Sequence, residues 1–194
     1  KNFYEHHGVD WLALLRAAGQ LVRNGEIISG ASTLTMQVAR LIDGQDTRSI
    51  DGKIRQIVFA RRIEAQLSKE QILDLYLMLA PYGGNLEGIR AASLAYFGKE
   101  PSRLTTAEAA LLVALPQSPE ARRPDHDPVS AEAARNRVLD RMVTAGVITE
   151  DEADAAKTEP VPTERRDFPI LAAHLAEEAV LADPNEPVHQ LTVD

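Results

Sequence analysis

The stretch RSIDGKIRQIVFARRIEAQLSKEQILDLYLML, residues 48–79, decides the fold because it encodes two consecutive helices. Residues 48–66 are predicted to form one long helix with an apolar face and a basic face, because side chains of one kind recur at helical spacing. The residues that show this spacing are Ile50, Ile54, Ile57, Val58, Arg61 and Glu64. Ser68 and Gln71 then have capping-box spacing. Leu67 and Ile72 flank the box as a hydrophobic staple, so a second helix is expected to run to about Leu79.

Helical signals continue on both sides of this stretch. Upstream, amphipathic helices are predicted over residues 10–22 and 32–42. Downstream, breakers and caps delimit helices over residues 86–96, 105–115, 130–145, 149–157 and 168–182, with one short strand over 188–193. We therefore predict a mainly α fold with negligible strand content. The helix over 10–22, which carries Trp11, packs in the core or lies on a membrane surface, and core is the commoner outcome.

The charge is unevenly distributed along the 194 residues. The net charge is −8, but residues 1–149 carry 18 Lys and Arg against 17 Asp and Glu, whereas residues 150–194 carry 3 against 12. The acidic average argues against nucleic acid as a partner, since binding nucleic acid needs clustered cations. The absence of cysteine excludes thiolate metal sites and a cysteine nucleophile. No apolar run reaches the roughly 20 residues that span a bilayer.

A hydroxyl-rich helix start, GASTLTMQVAR at residues 30–40, is a candidate ligand site. Backbone N–H groups and hydroxyls cluster there, and Arg40 lies on the same helix, so the unit can grip a polar or anionic ligand. The alternative is a plain N-cap whose hydroxyls satisfy the first backbone donors, and spacing alone favours it.

A basic run follows, with seven cations in thirty residues: Arg40, Arg48, Lys53, Arg55, Arg61, Arg62 and Lys69. A solvated helix face is the usual explanation of such a run, and a phosphate-binding face is the alternative. Near the start of the chain, His6 and His7 invite a metal hypothesis. Two adjacent histidines do not by themselves point to one centre, so no metal site is predicted.

Taken in order, these elements resemble the glycosyltransferase (transglycosylase) domain of class A penicillin-binding proteins, over about residues 1–150. The family's first motif, Glu-Asp-x-x-Phe-x-x-His-x-Gly, fits Phe3, His6 and Gly8. Its second, Gly-x-Ser-Thr-x-Thr-Gln-Gln, fits Gly30, Ser32, Thr33, Thr35 and Gln37. Its fourth, Lys-x-x-Ile-Leu-Glu-x-Tyr-Leu-Asn, fits Lys69, Ile72, Leu73, Tyr76 and Leu77.

The resemblance implies a lysozyme-like helical domain that polymerises lipid II into glycan strands, with inversion and release of undecaprenyl pyrophosphate. It implies that Ser32, Thr33 and Gln37 line the donor site, that Arg40 and Lys53 bind the pyrophosphate, and that Gln56 belongs to the same substrate-binding set. It names no certain cofactor and leaves a divalent cation open. The implied partners are lipid II, the growing glycan strand, the membrane surface and a covalently linked transpeptidase domain, on the periplasmic face of a bacterial inner membrane.

Several positions depart from the family pattern. The first-motif glutamate, which the resemblance makes the general base, falls two positions before Lys1, so the chain alone is expected to be inactive. A second family glutamate, in Arg-Lys-x-x-Glu, falls on Gln56; Lys53 matches that motif and Gly52 replaces its arginine. Three further replacements keep or lose polar groups: Arg40 for lysine, Asp74 for glutamate and Met78 for asparagine.

Two alternatives come from other classes. One is a lysozyme-like peptidoglycan hydrolase, which needs an acid beside a nucleophile or water. Glu64 and Glu87 are the carboxylates nearest in sequence that could replace the absent family glutamate, but neither lies at a family catalytic position, and neither is assigned that role. The other is a non-catalytic module that binds lipid II. For organisation, residues 1–159 are expected to form the transglycosylase domain, and residues 160–194 a linker that begins the connection to a transpeptidase domain.

Overall fold

The computed structural model describes residues 3–12, 15, 32–44, 49–168 and 179–184. Its main helices, in chain order, are α1 Leu34–Asp43, α2 Ile50–Gln66, α3 Lys69–Leu79, α4 Ile89–Phe97, α5 Thr106–Ala114, α6 Pro128–Thr144 and α7 Glu150–Thr158. Short 3-10 turns at Pro101–Arg103 and Leu115–Gln117 flank α5. These residues contain no strand, only one isolated antiparallel bridge between Pro81 and Glu87. The predicted mainly helical fold is confirmed.

Helix starts follow the local capping signals. Ser68 caps α3, and the Gln71 side chain returns the bond to the Ser68 backbone, which completes the predicted capping box. The pairs Thr105 with Glu108 and Thr149 with Glu152 form the same box at α5 and α7. Each box satisfies backbone donors that the first helical turn leaves unpaired, and for that reason short sequence motifs locate these starts well.

One helix begins later than its sequence pattern predicts. The helix expected from Leu86 starts at Ile89, because Leu86 closes the preceding loop: its N–H donates to the Gly83 carbonyl at 3.1 Å, and its carbonyl accepts from Tyr82 at 2.9 Å. Gly88 then caps α4 with a φ of +83°, a backbone conformation that favours glycine. The result is a tight 80–88 loop between α3 and α4.

The core is divided into three clusters. The first joins α1, α2 and α3 to the start of the chain through Val9, Met36, Val38, Ala39, Ala60, Ile63 and Ile72. The second fills the space between the 80–88 loop, α4 and α5, and Tyr82, Tyr96 and Leu115 are among its members. The third lies where α5, α6 and α7 meet, around Leu139. Tyr76 packs against the first two clusters, so α3 connects the halves of the molecule.

The predicted apolar face of α2 is only partly correct: Ile57 packs against the first core cluster, but two other members of the face do not. Ile54 and Val58 are 56% and 47% exposed, whereas Gly52, Gln56 and Ala60 are buried. Small residues at 52 and 60 let α1 and the start of the chain approach α2 closely, and a hydrogen-bonded amide fills the position between them. Close approach at small residues, together with the apolar contacts of Ile57 and Ile63, therefore determines which face of α2 is buried.

Several predicted elements lie wholly or partly outside the described residues. Of the helix over 10–22, the structure describes Asp10 to Leu12 and Leu15; Trp11, Leu12 and Leu15 are helical and exposed. Of the last helix, it describes Phe168, which is not helical, and residues 179–182, which are. The 188–193 strand lies outside. Among the described helices, none is both long and apolar enough to span a membrane.

Candidate active site

Lys53 is the centre of the candidate site. From the first turn of α2, its Nζ donates to Ser32 Oγ at 2.7 Å and to Gln56 Oε1 at 2.8 Å. The spacing of 53 and 56 puts both side chains on one helix face, whereas Ser32 comes from the segment just before α1. Three of the predicted site residues are thus brought into direct contact.

Gln56 joins the two helices at this point. Its side chain is buried, and its Nε2 donates to the Met36 carbonyl of α1 at 2.5 Å while its Oε1 accepts from Lys53. These two partners define which end of the amide is which, because the carbonyl accepts only and the ammonium donates only. The Lys53 ammonium is therefore held at a fixed place relative to α1.

Arg40 adds a second cation near Lys53. It is exposed on the last turn of α1, and Gln37 lies one turn before it, half-buried. The pKa of Lys53 is lowered, first because burial removes water from its ammonium and second because Arg40 is close. Among the described residues, no carboxylate pairs with Lys53 or Arg40.

Thr33, another predicted site residue, has a definite role inside the fold. Its Oγ1 accepts from the Met36 N–H at 3.1 Å as the N-cap of α1 and donates to the Gly8 carbonyl at 2.6 Å. Both bonds are buried, so this hydroxyl fixes the start of the chain against α1. Thr33 therefore acts as a helix N-cap, as the alternative interpretation of this segment predicts, whereas its neighbour Ser32 contacts Lys53.

Tyr76 was not among the predicted site residues, although it matches the fourth motif. It is partly buried between the first two core clusters, and burial raises the pKa of its phenol while the positive charge of Arg40 opposes the rise. Its phenol therefore lies within electrostatic range of Arg40. The motif match was the available signal, but a tyrosine at a helical apolar spacing is equally typical of a core residue.

A second polar network lies beside the site. Lys69 Nζ contacts Glu64 Oε1 at 2.6 Å and donates to the His6 carbonyl at 2.6 Å, and Thr35 Oγ1 donates to Glu64 Oε1 at 2.6 Å. Lys69 also lies 4.8 Å from the ring centroid of Phe3. The Glu64 side chain is only 6% exposed. These contacts neutralise Lys69 and engage Glu64 within the fold.

The predicted basic face is consequently divided among several surroundings. Lys53 and Arg40 form the candidate site, and Lys69 is ion-paired. Arg55 and Arg62 line a cavity of about 560 Å³ along α2, and Arg61 lines another of about 470 Å³ near His6. Arg48 lies outside the described residues. The described cations of this run therefore do not share one environment, and Lys53 and Arg40 remain the candidate pair for an anionic ligand.

The chain belongs to the transglycosylase family, because the Transglycosylase family model matches residues 1–143. Among known proteins it is similar to penicillin-binding protein 1C of Escherichia coli K12, with 49% identity over 88% of this chain and 22% of that protein. It is also similar to penicillin-binding protein 1A of Pseudomonas aeruginosa, with 41% identity over 82% of this chain and 20% of that protein. The chain thus spans about a fifth of the length of these relatives. The family resemblance inferred from the motifs is confirmed.

A solved structure gives a further comparison. The crystal structure of penicillin-binding protein 1A from Haemophilus influenzae matches with 25% identity and a TM-score of 0.48, over 82% of this chain and 21% of that chain.

Proposed function

We propose that this chain is the glycosyltransferase domain of a peptidoglycan polymerase that acts on lipid II. Family membership supports the reaction class. The observation that carries the proposal is the pair Lys53 and Arg40: neither is ion-paired with a described carboxylate, and Ser32 and Gln56 hold Lys53 in place. Two uncompensated cations suit a pyrophosphate leaving group, since charge stabilisation is greatest where charge develops in the transition state.

In the proposed reaction, the 4-hydroxyl of the acceptor's N-acetylglucosamine attacks the anomeric carbon of the donor's N-acetylmuramic acid. The carbon–oxygen bond to the lipid pyrophosphate breaks with inversion, and a general base takes the hydroxyl proton. Lys53 and Arg40 stabilise the negative charge that develops on the pyrophosphate. The resemblance assigns the base to the first-motif glutamate, and Gln56 is unable to replace it because an amide does not take up the proton.

The contacts of the described carboxylates do not favour the hydrolase alternative. A glycosidase needs an acid and a second carboxylate or water on either side of the bond. Glu64 is bound by Lys69 and Thr35, and Glu87 is exposed in the 80–88 loop. Neither carboxylate contacts Lys53.

The organisation of the parent protein is part of the same proposal. Residues 1–159 form the transglycosylase domain, and residues 160–194 begin a connection to a transpeptidase domain, on the periplasmic face of a membrane-anchored protein. The relatives are about five times longer than this chain, which is consistent with a further domain. The connection begins against the domain: the Arg166 N–H donates to the Ala95 carbonyl of α4 at 2.7 Å.

The test is polymerisation of labelled lipid II by the protein encoded by the full open reading frame. Lys53→Met should lower the turnover by about a hundredfold, the usual effect of removing one charge-stabilising donor. The matched control is Arg90→Met, which removes an exposed cation paired with Glu100 and should leave turnover unchanged. If the protein releases fragments from finished peptidoglycan and forms no polymer, the hydrolase alternative is correct. If it binds lipid II but catalyses neither reaction, the non-catalytic binding module is correct.

A further inference from the structure

Gln56 occupies the place of a family glutamate, and its surroundings fit an amide. Its Nε2 lies 2.5 Å from the Met36 carbonyl oxygen and its Oε1 lies 2.8 Å from the Lys53 ammonium. A carboxylate in the same position has two acceptor oxygens and no donor. One oxygen would then face the buried Met36 carbonyl, which costs free energy unless the carboxyl group is protonated. The pocket between α1 and α2 is built for a neutral group that both donates and accepts.

The neutrality of Gln56 has a consequence for Lys53. A carboxylate at hydrogen-bond distance would hold the ammonium in place and also neutralise it. The amide holds it in place and leaves its charge uncompensated, next to Arg40. Burial and the charge of Arg40 both disfavour the charged form of this ammonium, and an entering anion would offset both effects.

We propose that Gln56 is a positioning residue: it fixes Lys53 by accepting a hydrogen bond on an uncharged oxygen. It thereby leaves the full charge of the Lys53–Arg40 pair available to a multiply charged phosphate group. This inference rests on the proposed function and deepens it. According to this inference, Gln56 is the reason that the site prefers a phosphate group with two or more negative charges.

The test uses inorganic pyrophosphate as the probe, titrated calorimetrically into the wild-type chain and its variants. Gln56→Glu should weaken binding by about tenfold at pH 8, the equivalent of one pKa unit of altered charge interaction. Gln66→Glu is the matched control: it adds the same charge at an exposed position of the same helix and should bind like the wild type.

The pH dependence separates positioning from general disruption of the fold. Lowering the pH protonates the introduced carboxyl group, which restores a donor to the Met36 carbonyl and removes the negative charge. The affinity ratio of wild type to Gln56→Glu should therefore fall toward one as the pH falls, and the ratio cancels the protonation of pyrophosphate itself. Gln56→Met, whose side chain has neither a donor nor an acceptor, should bind pyrophosphate weakly. The ratio of the wild-type affinity to the Gln56→Met affinity should not change with pH.

A direct observation covers the case in which a buried variant fails to fold. In the wild-type chain, the NMR titration of Lys53 Nζ should show its pKa rising when pyrophosphate binds. Unchanged pyrophosphate affinity in Gln56→Glu, or a Lys53 pKa that does not respond to pyrophosphate, overturns the role of Gln56. Wild-type chain that does not bind pyrophosphate at all overturns the two-cation site as well, whereas failure of polymerisation alone concerns the proposed reaction.

Discussion

At the scale of single residues, the ion pair of Lys69 and Glu64 illustrates what local sequence does not reveal. The two residues are five positions apart across the break between α2 and α3, so no helical spacing pairs them. They meet because the chain turns at Leu67 and Ser68, and the carbonyl of His6 and the hydroxyl of Thr35 complete their hydrogen bonding. Lys69 is thereby removed from the run of cations that the sequence offered as ligands.

Removing one partner of this pair should be strongly destabilising. Lys69→Met leaves Glu64 buried without its cation, so we expect a loss of about 3 kcal/mol in the free energy of unfolding, measured by urea denaturation. The exposed pair Arg90–Glu100 is the control, and Arg90→Met should cost less than about 1 kcal/mol. The double variant Lys69→Met/Glu64→Gln should recover part of the loss. Equal stability of Lys69→Met and wild type would contradict a buried pair.

The candidate site was predictable in part. Lys53 and Gln56 are one helical turn apart, so their contact follows from local geometry once the helix is recognised. The contact of Lys53 with Ser32 depends on how α1 packs against α2 and needs the tertiary structure. Thr33 shows the limit of motif reasoning: a residue within the ligand motif uses its hydroxyl to cap a helix and to bind Gly8.

At the scale of the elements, helix starts were predicted better than helix faces. Capping boxes act within four residues, so the sequence is sufficient to recognise them. The buried face of α2 depends on its partners: Gly52 and Ala60 permit close approach, and Ile54 and Val58 remain outside. Hydrophobic periodicity detects a helix but ranks its faces by apolar content, so it places Ile57 correctly and misplaces Ile54 and Val58.

The 80–88 loop offers a test of close approach at Gly88. Its φ is +83°, and an added Cβ would lie 2.8 Å from the Met78 carbonyl oxygen. Gly146 is the matched control, with a φ of +69° and no atom within 4 Å of an added Cβ. Gly146→Ala should cost about 1 kcal/mol through backbone strain alone. Gly88→Ala should cost about 1–3 kcal/mol more, because the Gly88 ψ of 144° makes its backbone conformation nearly restricted to glycine and because the backbone must also shift away from Met78. Equal melting temperatures of the two variants would contradict both effects.

At the scale of the whole molecule, the segment over residues 159–166 returns across the domain. Its start is held by Arg135, a fully buried arginine whose guanidinium donates to the carbonyls of Glu159 and Lys157. Further along, Arg165 donates to the Gly83 carbonyl at 3.0 Å and pairs with Asp125 at 3.1 Å. The segment therefore connects α6 with the 80–88 loop.

Arg135→Met should loosen this segment. We expect a loss of about 3 kcal/mol in stability, because hydrogen bonds from a charged, buried donor are lost and two partly buried carbonyls lose this partner. Hydrogen exchange of the Arg166 amide, which donates to Ala95, should accelerate at least tenfold by rough estimate. Arg137→Met, at an exposed position of the same helix, should change neither quantity. Unchanged exchange in Arg135→Met would contradict this role and would leave two other contacts to hold the segment: those of Arg165, and the packing of Val161 against the second core cluster.

The hydrogen bond from Lys69 to the His6 carbonyl spans 63 residues of sequence, and that from Thr33 to the Gly8 carbonyl spans 25. Translation proceeds from the N-terminus, so residues 3–9 are synthesised before α2 and α3 and wait for these partners. Phe3 and Val9 are without their α2 and α3 contacts during that interval. The segment over residues 3–9 therefore completes its packing only after α3 has been translated.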